Sequence, residues 1–170
     1  MEATGNANIV LVGMPGVGKS TIGVLLAKVM GRPFVDTDVC IQVNEGRRLQ
    51  DIIDRDGLDV FRSIEERHVL DMNCQRHVIA TGGSVVYSER AMRYLKANGV
   101  VVYLDLPLTR LRARLSNLPA RGVVMSPGQS LEGLYLERAP LYHHYADVVV
   151  ECEGASHEGV VERVIKGLGL

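Results

Sequence analysis

The segment from Gly13 to Ser20 has the residue types and the spacing of a loop that binds phosphate groups. It reads Gly-Met-Pro-Gly-Val-Gly-Lys-Ser and matches the pattern G-x-x-x-x-G-K-[ST] in full. Glycines allow a tight turn whose backbone N–H groups form a concave site for anions. Lys19 supplies a mobile cation, and the Ser20 hydroxyl can bind Mg²⁺. The loop predicts binding of the phosphates of ATP, with GTP as the less favoured alternative.

The sequence around this loop provides the strand and the helix that a phosphate site needs. Ala7 to Val12 is a short apolar run typical of a buried strand, and apolar residues recur at helical spacing from Ile22 until a stop at Gly31. A glycine-rich turn without a ligand is the alternative, which the complete motif in this context disfavours. The residues expected to bind the nucleotide are Gly13, Pro15, Gly16, Val17, Gly18, Lys19, Ser20 and Thr21.

Two aspartates end the second predicted strand, which begins at Phe34 and runs into Asp36-Thr37-Asp38. Ligands bind outside the carboxyl ends of the strands in an open parallel sheet, so both should lie at the same edge as the phosphate loop. One carboxylate near Mg²⁺ can hold its water shell, and the other can orient or deprotonate an attacking hydroxyl. From these residues alone, a solvated turn is an equally good interpretation.

Strands and helices alternate along the rest of the chain, and the strands are near-continuous apolar runs. This pattern predicts one α/β domain over residues 1–170, with a five-stranded parallel sheet between two layers of helices. Strands are expected at 7–12, 34–36, 77–81, 100–104 and 147–152. Beyond the helix after the phosphate loop, helices are expected at 49–53, 60–72, 88–96, 108–115 and 131–145, and after Ser156.

The composition limits the partners that this chain can have. The net charge of −1 over 170 residues predicts no broad nucleic-acid surface and no basic membrane patch. The apolar run at the first strand is too short for a signal core or a membrane span. The three scattered cysteines fit reduced thiols in a cytoplasm. We therefore expect a cytoplasmic protein, monomeric, that acts on small molecules.

Beyond the phosphate loop, several short motifs occur in an order that resembles the shikimate kinases over nearly the whole chain. They are Gly13 to Ser20, Asp36-Thr37-Asp38, Phe61-Arg62-Ser63-Ile64-Glu65, Gly82-Gly83 and Glu137-Arg138-Ala139-Pro140-Leu141-Tyr142. The resemblance implies a P-loop fold of the nucleoside-monophosphate-kinase type. It also implies Mg²⁺-dependent transfer of phosphate from ATP to the 3-hydroxyl of shikimate, a step of aromatic amino-acid biosynthesis.

The resemblance also assigns roles to residues of this chain. Ser20 and Asp36 correspond to the magnesium pair, with Asp36 acting through water. Asp38 corresponds to the residue that contacts the acceptor hydroxyl. Lys19 and Arg121 would stabilise the transferring phosphoryl group.

A further set of residues would bind the acceptor. Some lie in an acceptor-binding region that we place at about residues 36–72, and the others lie at more distant positions. Arg62 and Arg138 correspond to the pair that holds the substrate carboxylate, for which the planar guanidinium fork is suited. Gly82 and Gly83 would donate backbone hydrogen bonds, and Glu65 would fix Arg62 or a substrate hydroxyl. Without the resemblance, surface charges paired with helix neighbours are the favoured interpretation of both arginines, and the family pattern reverses that preference.

The irregular stretch from about 116 to 129 falls where this family has a mobile lid, which makes physical sense because closure excludes water from phosphoryl transfer. Arg121 is its candidate arginine, and a loop surface charge is the alternative. The resemblance implies that Arg112 or Arg114 stacks on the adenine, and the spacing does not choose between them. An exposed position on a short helix is an equally good interpretation of both.

The chain departs from the family pattern at two places. Ser84 stands where a third glycine is usual, so its side chain would narrow the pocket or add a hydrogen bond. Around Arg121 the lid reads Ala-Arg-Gly-Val-Val in place of an arginine followed by proline. These departures keep two alternatives open. They are a kinase for another small hydroxy acid or polyol, and a nucleotide-binding regulator without catalysis.

Overall fold

The computed structural model describes residues 6–116 and 124–170, and it contains a five-stranded sheet in the order β2-β3-β1-β4-β5. Every pair of neighbouring strands runs parallel. The strands are β1 Asn8–Val12, β2 Phe34–Asp36, β3 Val78–Ala80, β4 Gly99–Asp105 and β5 Val148–Glu151.

The central position of β1 determines where the phosphate loop lies. All five residues of β1 are buried, and Leu11 pairs with Ala80 of β3 on one side and Val102 of β4 on the other. The residues that follow β1 and β3 therefore leave the sheet side by side at its carboxyl edge. In folds of this kind the crevice at that edge is where ligands bind.

Eight α-helices and one 3₁₀ turn connect the strands within the described residues. The helix α1 packs against α8 and lies over β2 and β3, whereas α5 and α7 pack against β4. The helices are α1 Lys19–Met30, α2 Thr37–Glu45, α3 Leu49–Asp56, α4 Leu58–Leu70, α5 Glu89–Asn98, α6 Leu108–Ser116, α7 Leu131–Tyr145 and α8 His157–Gly167. The 3₁₀ turn is Val85–Tyr87.

The predicted α/β class and five parallel strands are confirmed, with helices on both faces. Two elements were missed, the helix α2 and the 3₁₀ turn Val85–Tyr87. Asp36-Thr37-Asp38 is not simply the end of a strand. Asp36 ends β2 and also caps α2, since its side chain accepts hydrogen bonds from the N–H groups of Asp38 and Val39. In addition, Gly99 follows α5 as the first residue of β4, with extended backbone. Of the predicted lid at about 116–129, residues 117–123 lie outside the described residues, and 124–129 form neither helix nor strand.

The described residues form two apolar clusters. The larger cluster surrounds the sheet. The smaller cluster joins α2, α3 and α4 to the segment that precedes α7, and it consists of Ile41, Leu49, Ile52, Phe61, Ile64 and Val124. Arg62 and Glu65 lie on α4 directly after the cluster members Phe61 and Ile64, so the packing of this helix also positions these two charged side chains.

The smaller cluster should contribute measurably to stability. Ile52 is 0% exposed, so Ile52→Ala should lower the free energy of unfolding by about 2 to 5 kcal/mol through lost burial and a cavity. Urea unfolding measures this change. Val43→Ala is the control, because Val43 on α2 is 73% exposed, and it should shift stability by less than about 0.5 kcal/mol. Equal effects of the two substitutions would contradict the assigned packing.

Candidate functional site

The phosphate loop adopts a backbone that only glycine accommodates at several positions. The φ angles are +148° at Gly13, +83° at Gly16 and +104° at Gly18. A Cβ at Gly13 would lie 2.7 Å from the carbonyl oxygen of Leu104 in β4. The loop can therefore lie closely against the sheet and deliver the chain into α1 at Lys19, with the amino end of the helix beneath the anion site.

Lys19 is buried against its own loop. Its Nζ donates hydrogen bonds to the carbonyl oxygens of Gly13 at 2.7 Å and Met14 at 3.1 Å. Burial lowers the pKa of Lys19 to about 8, and the nearby carboxylate of Asp38 opposes that shift. The charge of Lys19 thus responds to pH close to neutrality.

Ser20 and Asp36 place two side-chain oxygens next to each other beside the loop. The Ser20 hydroxyl donates to Asp36 Oδ2 at 2.6 Å. The other oxygen, Asp36 Oδ1, accepts the N–H of Asp38 at 3.0 Å, which fixes the carboxylate at the start of α2. The structure therefore brings together the two residues predicted as the magnesium pair. Thr21 is exposed beside Ser20 on the first turn of α1.

Asp38 and Glu65 direct carboxylate oxygens toward the same backbone position. A Cβ at Gly82 would overlap Glu65 Oε1 and would lie 2.7 Å from Asp38 Oδ1. Burial raises the pKa of Asp38 to about 6, against the opposing charge of Lys19. Burial also raises the pKa of Glu65 to about 7, against the opposing hydrogen bond from Ser84. Two carboxyl groups with raised pKa values at one sheet edge are typical of a functional site.

Ser84, the departure from the family pattern, makes a buried hydrogen bond. Its hydroxyl donates to Glu65 Oε2, and its φ of −89° is one that any residue adopts. Serine therefore fits here without backbone strain, and it fixes one oxygen of Glu65, while Oε1 has no partner in the described part of the chain.

Arg138 is among the most deeply buried side chains, at 1% exposed. Its Nη2 donates to the carbonyl oxygen of Val124, and its Nε donates to the hydroxyl of Tyr87 at 3.2 Å. Its Nη1 has no partner among the described residues and would lie 2.9 Å from a Cβ on Gly83. A buried guanidinium with an unpaired donor is costly unless an anion completes its contacts.

Three buried polar atoms around this edge lack hydrogen-bond partners among the described residues. They are Arg62 Nε, Glu65 Oε1 and Arg138 Nη1. All three belong to side chains that the sequence analysis proposed for the acceptor. The set combines donors on two cations with one acceptor, which suits a ligand that carries both a carboxylate and hydroxyl groups.

Sequence reasoning missed residues that shape the site through distant contacts. Thr37 Oγ1 accepts the N–H of Gly82 at 3.1 Å, and the Tyr142 hydroxyl donates to the carbonyl oxygen of Gly83 at 2.6 Å. Thr37 stands between the two aspartates, so that motif held a usable signal. Tyr87 and Val124 contact Arg138 but belong to none of the motifs that carry the resemblance.

The two candidates for adenine contact differ in their surroundings. Arg114 Nη1 donates to the carbonyl oxygens of Val17 at 2.9 Å and Gly16 at 3.4 Å, so Arg114 contacts the phosphate loop directly. Arg112 is exposed and pairs with Glu132 at 3.7 Å. A cavity of about 430 Å³ adjoins Arg114, lined by Leu106, Arg110, Ala113, Arg114, Cys152, Glu153, Gly154 and Ala155. Arg121 lies outside the described residues.

Within 6–116 and 124–170, no three His, Cys, Asp or Glu side chains group as metal ligands. Mg²⁺ does not require such a group, because it commonly binds one or two protein oxygens together with phosphate and water. Across the same ranges, none of the helices combines the length and apolar character needed to cross a membrane.

The central phosphate loop and the paired acidic and basic side chains define a P-loop kinase for a small molecule. A family model described as shikimate kinase matches residues 15–168, and the chain belongs to the shikimate kinase family. It is 38% identical to the shikimate kinase of Thermodesulfovibrio yellowstonii over 94% of this chain and 93% of that protein. It is also 38% identical to that of Synechococcus sp. (strain RCC307), over 98% and 87% of the two chains.

Solved structures agree with this family. The shikimate kinase of Acinetobacter baumannii in complex with shikimate aligns with a TM-score of 0.84 and 31% identity, over 97% of this chain and 93% of that one. The shikimate kinase of Aquifex aeolicus aligns with a TM-score of 0.82 and 31% identity, over 95% of this chain and 96% of that one. A gluconokinase from Sinorhizobium meliloti shares the fold alone. It aligns with a TM-score of 0.52 and 19% identity, over 96% of this chain and 91% of that one.

The raised pKa of Glu65 predicts a pH-dependent penalty on stability. Its pKa is raised from an ordinary 4.5 to about 7 in the folded protein, so folding favours the protonated form. The free energy of unfolding contributed by Glu65 should then fall as pH rises between those values. Glu65→Gln removes this term. The variant should gain stability relative to the wild type on going from pH 5 to pH 8, on the order of 2 kcal/mol.

Thermal unfolding midpoints at both pH values measure this difference. Glu162→Gln, at an exposed position on α8, is the control for removing one carboxylate. A difference between the Glu65→Gln variant and the wild type that stays constant from pH 5 to pH 8 would contradict the shifted ionisation.

Proposed function

We propose that this chain transfers the terminal phosphoryl group of ATP to the 3-hydroxyl of shikimate and releases ADP and shikimate 3-phosphate. The observation that carries the proposal is the set of unpaired buried atoms on Arg62, Glu65 and Arg138, beside an intact phosphate loop. Membership of the shikimate kinase family supports the same substrate. We further propose that residues 1–170 form one kinase domain, with a lid at about 116–129.

The donor half of the site is proposed to hold ATP on the loop from Gly13 to Thr21. Mg²⁺ would neutralise phosphate charge there. The hard oxygens of Ser20 and Asp36, which lie within 2.6 Å of each other, fit this ion, with Asp36 acting through water. Arg114 is the better candidate for adenine contact, because it adjoins the loop and the neighbouring cavity.

The acceptor half is proposed to hold shikimate through opposite charges and hydrogen bonds. Arg62 and Arg138 would bind its carboxylate, which would give Arg138 Nη1 the anion it lacks. Gly82 and Gly83 would approach the substrate closely, since a side chain at either position would overlap the charged groups of the site. Glu65 Oε1 would accept a hydrogen bond from a ring hydroxyl.

Asp38 is the proposed proton acceptor or orienting group for the attacking hydroxyl. In the transfer, the 3-oxygen of shikimate bonds to the γ-phosphorus, the bond from that phosphorus to the ADP oxygen breaks, and the hydroxyl proton passes to the Asp38 carboxylate. Lys19, released from the Gly13 and Met14 carbonyl oxygens, would stabilise the charge on the transferring group, together with Arg121.

The carboxylate contacts give the first test of this proposal. In an assay of ADP release, the wild type should turn over with shikimate and Mg·ATP. Arg62→Ala and Arg138→Ala should each raise the KM for shikimate at least about tenfold, because each removes a charge-assisted hydrogen bond. The KM for ATP should change less than about threefold in both variants, since neither arginine belongs to the phosphate loop.

Arg93→Ala is the matched control, because Arg93 is an exposed arginine on α5 paired with Glu89. Absence of shikimate-dependent ADP formation in the wild type would overturn the proposal. Activity on another hydroxy acid or polyol from a panel would then favour the related kinase. Nucleotide binding by calorimetry, without turnover on any acceptor, would favour the regulator.

The pH dependence of kcat/KM for shikimate gives a second test. Asp38 must be ionised, so kcat/KM should rise as pH increases through about 6, and Lys19 must be charged, so it should fall as pH increases through about 8. Asp38→Asn should lower kcat by about 10²-fold or more and remove the rising limb. Glu65→Gln is the comparison variant, and its pH profile should keep the rising limb. A rising limb that persists in the residual activity of Asp38→Asn would contradict the role of Asp38.

A further inference from the structure

Tyr87 lies against both arginines of the proposed carboxylate site. The guanidinium carbon of Arg62 lies 4.4 Å from the centre of the Tyr87 ring, and that of Arg138 lies 5.1 Å from it. Both distances are within the range in which a cation is attracted to the face of an aromatic ring. Tyr87 ends the 3₁₀ turn that follows Gly82 and Gly83, so the chain places it beside the acceptor half.

Hydrogen bonds also hold the Tyr87 hydroxyl in place. It accepts a hydrogen bond from Arg138 Nε at 3.2 Å and donates one to Glu137 Oε1. The second oxygen of Glu137 accepts from Gln129 Nε2 at 3.0 Å. The ring also lines a cavity of about 200 Å³ together with Arg62, Ser63, Glu65, Glu66, Ser84, Val85 and Ser88. Tyr87 is therefore held in one orientation between charged groups of the site.

This arrangement addresses a problem that two binding arginines create. Two guanidinium groups that bind one carboxylate must stay close together before it arrives, although like charges repel. A neighbouring carboxylate that paired with both would hold them but would compete with the ligand. The face of an aromatic ring attracts a cation through its quadrupole and carries no net charge, so both arginines keep their full charge for the substrate.

We propose that Tyr87 is a positioning residue that preorganises Arg62 and Arg138 to bind the carboxylate of the acceptor. This inference rests on the proposed function for the identity of the acceptor. The ring lies against both arginines, whereas the hydroxyl bonds Arg138 and not Arg62. Loss of the ring should therefore weaken use of the acceptor and leave use of ATP unchanged.

The test compares two substitutions at Tyr87 by their effects on each substrate. Tyr87→Leu removes the ring, and kcat/KM for shikimate should fall about tenfold, with the KM for ATP unchanged within twofold. Tyr87→Phe keeps the ring, and kcat/KM for shikimate should stay within about threefold of the wild type. Tyr145→Leu is the control, because Tyr145 is a partly buried tyrosine at the end of α7 that contacts His144. It should leave both substrate constants within twofold.

Double variants test whether the ring acts through the arginines. The fold decrease in kcat/KM for shikimate caused by Tyr87→Leu should become at least threefold smaller when Arg62 or Arg138 is already alanine. The proposal is overturned if Tyr87→Leu lowers kcat/KM for shikimate as much in both arginine variants as in the wild type. It is also overturned if Tyr87→Leu changes the constants of both substrates equally, or if Tyr87→Phe loses as much activity as Tyr87→Leu. A wild type without activity on shikimate would refute the proposed function instead, and that result is read before any variant is made.

Discussion

A buried positive charge with an incomplete set of partners is the constraint on which the acceptor side of this protein depends. Arg138 is almost fully buried, and its guanidinium donates to the Val124 carbonyl and the Tyr87 hydroxyl, while Nη1 has no partner within residues 6–116 and 124–170. Removing such a group from water is costly unless it gains partners of opposite charge. Glycine at position 83 keeps side-chain atoms away from this group, since a Cβ there would lie 2.9 Å from Nη1.

Burial also shifts the pKa values of three ionisable groups of the site toward neutrality, two of them upward and one downward. It raises the pKa of Asp38 and Glu65 and lowers the pKa of Lys19, because removal from water disfavours whichever form carries the charge. Each of these groups therefore changes its charge within a few pH units of neutrality. Ser84 moderates this effect on one carboxylate, since its hydroxyl stabilises the charged form of Glu65.

The parts of the fold that local sequence determines were the predictable ones. The phosphate loop follows from adjacent residues, and the buried strands follow from uninterrupted apolar runs. The helix α2 was missed because Val39, Ile41 and Val43 alternate as in a strand, whereas the helix begins where the Asp36 side chain caps it. The contact of Ser84 with Glu65 and those of Tyr87 and Val124 with Arg138 join distant residues, so only the folded chain reveals them.

The central position of β1 has a consequence for how the chain acquires its site. Thr81 reaches the Leu11 carbonyl across 70 residues of sequence, and Arg138 arrives from α7, the last helix but one. Sheets built from such distant pairs fold slowly, because long loops must close before any contact compensates for the lost chain entropy. During synthesis, the phosphate loop emerges from the ribosome long before the residue that completes the acceptor side. A nascent chain therefore acquires its two-substrate site only after α7 has emerged.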